Sequence, residues 1–130
     1  MEINLYGELS KDGFPELEIC LANDFNEAVK AIGIVDTGAA KSHIATELAE
    51  YLKLQKVSKA THHNPINGEI KSYVYRASSM KIQDFDFGPV DFIGFSGKTF
   101  PYKIILGLGL IRKGTLVYSG VENNFRLSFP

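Results

Sequence analysis

Asp36, followed by Thr37 and Gly38 and preceded by the apolar run Ala31 to Val35, is where this chain could do chemistry. Apolar residues on both parities of that run read as a strand buried on both faces, so a buried strand delivers a carboxylate to its end. Aspartate is among the residues least often buried, and one placed there calls for a capping role, a charge partner or a reaction. The plain reading is a turn that Asp36 opens, with Gly38 as its permissive residue. The reactive reading is chemistry carried by the carboxylate itself, and the chain carries Asp-Thr-Gly once.

Other groupings carry less. His62 and His63 are adjacent, so in a strand their rings face opposite ways, and with His43 they give no ligand spacing; no metal is expected. Ser42-His43 lacks a third partner and a nucleophile elbow. Gly107, Gly109 and Gly114 follow an apolar strand, but a dinucleotide fingerprint wants Gly or Ala where Arg112 stands, so no cofactor is expected. Lys41, beside the motif, reads as a solvated side chain.

The elements that must hold Asp36 are mostly strands. Ile3, Leu5 and Leu9 alternate with polar neighbours, Lys11-Asp12-Gly13 punctuates, and Leu17, Ile19 and Leu21 alternate again around a lone Cys20. Residues 16–22 and 28–35 read as a hairpin across a turn at 23–27, which would stiffen the base of the Asp36 loop. Leu48, Tyr51 and Leu52 fall at helical spacing behind Thr46, a candidate N-cap. Asn67-Gly68 is a strong hairpin signal, of the kind that forms a two-residue type I′ turn. Met80, Ile82 and Phe85 suggest a further strand, Gly88-Pro89 a turn, Tyr102 to Leu106 a buried strand, and Leu108 to Lys113 a helical turn ending at Gly114.

Asp36-Thr37-Gly38-Ala39, with Ser42 behind it, resembles the active-site signature of the retropepsin family of aspartic proteases. Ile104-Ile105-Leu106-Gly107, then Leu110 and Ile111, resembles the family's second signature, an apolar strand ending at Gly before a short helix. Thr115 to Tyr118 and Asn124 to Phe129 resemble the closing strands of its bacterial and other cellular members. The likeness runs from about Pro15 to Phe129.

That resemblance implies a mainly β chain, one retropepsin-like domain over residues 1–130, closed as a β-barrel or sandwich with one or two short helices. It implies an aspartic endopeptidase that takes a polypeptide substrate and works as a homodimer, with Asp36 of each subunit catalytic. Thr37 would lock the two loops across the axis, Gly38 would let backbone approach the carboxylates, and Ala39 would stand where other members carry Ser or Thr. Ile66, Asn67 and Gly68 would form a substrate-binding flap, with Ile66, Ile70, Phe100 and Ile104 as candidate pocket walls. Leu108-Gly109-Leu110 departs from the charged or amide residue many members carry there, which withdraws a polar support from the loop. The reading from another class is a catalytically idle dimerisation or peptide-binding module of the same fold.

Composition fits this reading. With 14 basic and 15 acidic side chains there is no electrostatic case for nucleic acid or an anionic membrane. No run approaches a membrane span, and the first residues lack a signal-peptide pattern, so a cytoplasmic protein is expected.

Overall fold

The computed structural model describes residues 2–64, 66 and 68–130, with the side chains of His62, His63 and Asn64 excluded. Strands β1 (Ile3–Glu8), β2 (Glu16–Ala22) and β3 (Ala28–Val35) are followed by β4 (His43–Ala45) and helix α1 (Thr46–Tyr51). Then come β5 (Gln55–Asn64), β6 (Gly68–Ala77), β7 (Ser79–Ile82), β8 (Phe85–Asp86), β9 (Val90–Phe95) and β10 (Ile104–Leu106). Helix α2 (Leu108–Ile111), β11 (Thr115–Ser119) and β12 (Asn124–Phe129) complete the chain.

The strands form a three-stranded sheet, β1-β12-β11, and a nine-stranded sheet, β5-β6-β9-β4-β10-β3-β2-β7-β8. The chain is mainly β, as expected, but among the described residues the sheets do not close into the expected barrel: the large sheet ends at β5 and β8, which are not paired with each other. One contiguous apolar core, in which Leu5, Phe125 and Leu127 meet Leu17, Ile19, Leu21 and Ile82, joins the two sheets instead.

Alternation explains which side chains enter that core. Leu17, Ile19 and Leu21 of β2 are buried while Glu18 is exposed, as a period of two requires. Cys20, on the opposite parity, is half-buried. β2 and β3 form the expected hairpin, from Glu16↔Ile34 to Ala22↔Ala28. Its turn is held by Asn23, whose buried side chain accepts from the N–H groups of Phe25 (2.9 Å) and Glu27 (3.0 Å) and donates to the Leu52 carbonyl (2.8 Å). The polar side chain is satisfied on both its oxygen and its nitrogen, which makes its burial tolerable.

Three local expectations are corrected. β3 is buried on both faces only from Gly33 to Val35, and Ile32 is exposed, because β10 flanks β3 over those last three residues alone. Thr46 is the first helical residue and Ala45, the last residue of β4, takes the cap position; Tyr51 points to solvent. The turn centred on Asn67-Gly68 is also displaced. Val57 is an extra residue between the pairs Lys56↔Tyr75 and Ser58↔Val74, and the register carried from there makes Asn64 face Gly68 across residues 65–67. A turn centred on Asn67-Gly68 would need an odd shift of register, turning β5 over relative to β6. Gly68 instead opens β6 with φ +74°, a backbone state that glycine adopts without strain. Asn67 itself lies outside the described residues.

The hairpin is anchored at its base. Tyr75 is buried, and its hydroxyl donates to Glu50 Oε1 (2.8 Å), which also meets Lys56 Nζ at 3.2 Å. Lys56 lies over the Tyr73 ring, 4.5 Å from its centre. Burial, followed by the Glu50 hydrogen bond, pushes the Tyr75 phenol up to about 12, while the same bond and then Lys56 hold the Glu50 carboxyl below its usual range. Tyr75→Phe is expected to cost about 1 kcal/mol near pH 7, at the low end for a bond to a charged group because Glu50 is half-exposed. A depressed folded-state pKa gives stability that is present above the ordinary carboxylate range and lost below it. Urea unfolding of both proteins will therefore show the difference shrinking as Glu50 becomes protonated, and an equal difference at about pH 3 would exclude the ionised pair as its source.

Candidate active site

The site begins with a parallel pair of strands. Gly33, Ile34 and Val35 of β3 lie beside Ile104, Ile105 and Leu106 of β10, so the Asp36 motif and the Gly107 motif leave the sheet at the same edge. The Asp36 N–H donates to the Leu106 carbonyl (2.9 Å), and the Val35 N–H to that of Pro15 (3.0 Å).

Beyond the strand ends the two loops are laced together. The N–H of Leu108 donates to the Ala39 carbonyl (2.8 Å), that of Gly109 to Ala40 (3.0 Å), and that of Gly107 to Ser42 Oγ (3.1 Å). Gly107 is buried in this crossing, where a Cβ would fall 2.7 Å from the Ala39 carbonyl oxygen and 2.6 Å from the Lys41 carbonyl carbon. Leu108, Gly109 and Leu110 carry no polar side chain, yet the loop is braced through their backbone and through Ser42.

Within the loop, the Gly38 N–H donates to Asp36 Oδ1 (2.8 Å) and the Ala39 N–H to the Asp36 carbonyl (3.2 Å). The Asp36 side chain is half-buried, and Thr37 and Gly38 are exposed. Ala39 brings a methyl group to a cavity of about 400 Å³, lined also by His43, Phe95, Ser96, Phe100 and Ile105. Edge-to-face ring contacts run along it from His43 to Phe95 (6.5 Å), Phe100 (5.8 Å), Tyr102 (5.9 Å) and Phe14 (6.4 Å). A hydrogen bond to Glu16, and then burial, raises the Tyr102 phenol pKa, keeping the ring neutral across the ordinary pH range.

The structure brings Asp36, Thr37, Gly38 and Ala39 into one loop, with Phe100 beside it. Ile104 is fully buried and belongs to the core rather than to a pocket wall, because β10 sends Ile104 and Leu106 inward and Ile105 the other way. Ile70 is half-buried within β6, and Ile66 stands at the hairpin tip, 91% exposed. Sequence reasoning missed the brace made by Ser42 and the walls supplied by His43, Phe95, Ser96 and Ile105. The period-two alternation of β10 was the available signal for Ile105. Among the described residues no group of three or more His, Cys, Asp or Glu could hold a metal ion. No helix among them is long and apolar enough to cross a membrane.

The sequence model of the family described as gag-polyprotein putative aspartyl protease matches residues 24–113. Among solved structures, the chain resembles a retropepsin-like aspartic protease from Rickettsia conorii with a TM-score of 0.70 at 20% identity, covering 99% of this chain and 92% of that one. A Legionella pneumophila protein of unknown function lies further off, with a TM-score of 0.49 at 16% identity over 77% of this chain and 84% of that one. No curated protein matches the chain.

The lacing predicts an order of mutational costs. Ser42→Ala leaves the buried Gly107 N–H without its acceptor and is expected to cost about 1–2 kcal/mol. Gly107→Ala drives a methyl group into two backbone carbonyl groups and should cost more, about 3 kcal/mol. Urea unfolding checks the ranking, and a Gly107→Ala protein as stable as Ser42→Ala would refute the close crossing.

Proposed function

The chain belongs to the retropepsin-like aspartyl proteases, and from that premise we propose that it is an endopeptidase acting as a homodimer, each subunit contributing Asp36. The observation that supports this most directly is the setting of Asp36: a half-buried carboxylate, held through Oδ1 by the Gly38 N–H, at the open end of a braced pair of strands.

One carboxylate takes a proton from water as the water oxygen attacks the carbonyl carbon of the scissile peptide. The other, protonated, gives its proton to the carbonyl oxygen. Collapse of the tetrahedral intermediate then reforms a carbonyl and expels the nitrogen, which leaves as an amine after taking up a proton. That two neighbouring carboxylates titrate as one coupled pair is long-established behaviour of aspartic proteases. In this reading Thr37, exposed beside Asp36, faces the second subunit and ties the two loops together.

Substrate would lie extended between the hairpin tip at Ile66, Asn67 and Gly68 and the floor carrying Asp36, gaining affinity from main-chain hydrogen bonds. The cavity beside Ala39 would receive one of its side chains, with Phe100 and Ile105 as walls. Closure of the hairpin would exclude water from the reacting carbonyl.

The test is cleavage of a mixed pool of denatured peptides between about pH 4 and pH 7, alongside sedimentation of the same protein. Wild type should sediment as a dimer and cut, and Asp36→Asn should remain dimeric and lose at least about 10³-fold in rate. A strict monomer that cuts, or an Asp36→Asn protein that cuts normally, would remove the proposed dyad; a folded dimer that cuts nothing would make the chain a peptide-binding module. Ala39 offers no hydroxyl to stabilise the ionised pair, so the pH–rate optimum should be less acidic than in Ala39→Ser. A wild-type optimum below about pH 3.5, or no acid shift in Ala39→Ser, would count against that account.

A further inference from the structure

A second and larger cavity, about 860 Å³, shares no lining residue with the one beside Ala39. Its walls come from β8 and β9, the base of the β5–β6 hairpin, α2, and the Lys41-Ser42 end of the active-site loop. The apolar part is preformed. Phe87 packs edge-on against Phe85 (4.7 Å between ring centres) and Phe129 (5.4 Å), and half-buried Val74, Ile93 and Leu110 continue the surface.

The charges in this groove are unequal in what they have left to offer. Asp91 is committed to Arg76 through two bonds of 2.7 and 3.1 Å. Asp86 accepts from the Gly88 N–H (2.7 Å) and the Ser79 hydroxyl (3.0 Å). Lys41 and Lys113 are exposed, and the ion pairs among the described residues join Lys30 to Glu18, Lys56 to Glu50 and Arg76 to Asp91, leaving both lysines uncommitted. Both line the groove, and the backbone joins their segments: the N–H of Gly109, four residues before Lys113, donates to the carbonyl of Ala40, next to Lys41.

We propose that this groove binds a long-chain fatty acid, its alkyl chain on the Phe85, Phe87 and Ile93 surface and its carboxylate between Lys41 and Lys113. The cavity has the size of small-ligand sites, which combine a mostly apolar lining with a few placed polar groups. Charge favours an anionic head group, since Asp91 is paired with Arg76 and Asp86 is held by two neutral donors, whereas the two ammonium groups have no ion-pair partner among the described residues. The apolar lining selects the tail: Phe85, Phe87, Ile93 and Leu110 offer carbon surface, and Ser42 Oγ already accepts from the Gly107 N–H. The site does not depend on the proteolytic reading.

Calorimetric titration of the full chain with laurate, kept below its micellar concentration, tests this directly. One laurate should bind per chain, at least about tenfold more tightly than dodecyltrimethylammonium, which has the same tail and the opposite head. The double variant Lys41→Gln, Lys113→Gln, changed only at exposed positions, should weaken laurate by at least about tenfold, whereas Asp36→Asn should bind it unchanged. Equal binding of the cationic surfactant, indifference to the lysine variant, loss on Asp36→Asn, or no binding of laurate at all would each overturn the proposal.

Discussion

Everything at the candidate site depends on β10 lying between the two arms of the Asp36 loop. β3 enters the loop and β4 leaves it; β3 pairs with one edge of β10 in parallel and β4 with the other edge, antiparallel. The loop is therefore pinned at both ends to a strand that arrives much later in the chain. A parallel pair cannot be made by a tight turn and needs a long crossover, which here contains α1, the long hairpin and β7 to β9. Position of the carboxylate is thus a long-range property, paid for in loop-closure entropy and secured by the lacing of Gly107, Leu108 and Gly109 to the loop.

That pinning gives the short loop two distinct environments. Ala39 opens onto the small aromatic-walled cavity, while Lys41 and Ser42, two and three residues on, line the larger groove. Ser42 belongs to both structures, since its hydroxyl holds the buried N–H of Gly107 from the groove side. The backbone N–H groups of Leu108 and Gly109 tie α2 to the loop, so the loop is braced although no polar side chain stands at positions 108–110.

What the sequence made legible was local and periodic. Leu17, Ile19 and Leu21, the hairpin of β2 with β3, and the strand ending at Asp36 follow from alternation and turn chemistry within a few residues. The exposure of Ile32 did not, because it depends on where β10 begins. The three-residue separation at the β5–β6 tip depends on one extra residue, Val57, far down the strand. Gln83 and Asp84 make a turn with φ of 50° and 71° and no glycine to announce it, so Phe85, which in sequence continues the alternation of Met80 and Ile82, begins the next strand instead. Likewise β1 precedes β2 but pairs with β12, a partnership fixed by the apolar faces of Leu5 and Leu127 meeting across the chain. Motif residues could be placed on a loop from sequence; the neighbours that make the loop rigid could not.

The exposure of the site residues suits the homodimer proposed above. A catalytic group completed within one chain can be sealed by its own fold, but one that needs its symmetry mate has to stand at a surface until the mate arrives. Asp36 is half-buried, held from beneath by its own loop, while Thr37, Gly38 and Leu108 around it are exposed. Rigidity beneath and openness above are opposite requirements on neighbouring residues. The chain meets both by spending its backbone donors on the brace and leaving the side chains of Asp36 and Thr37 at the open edge.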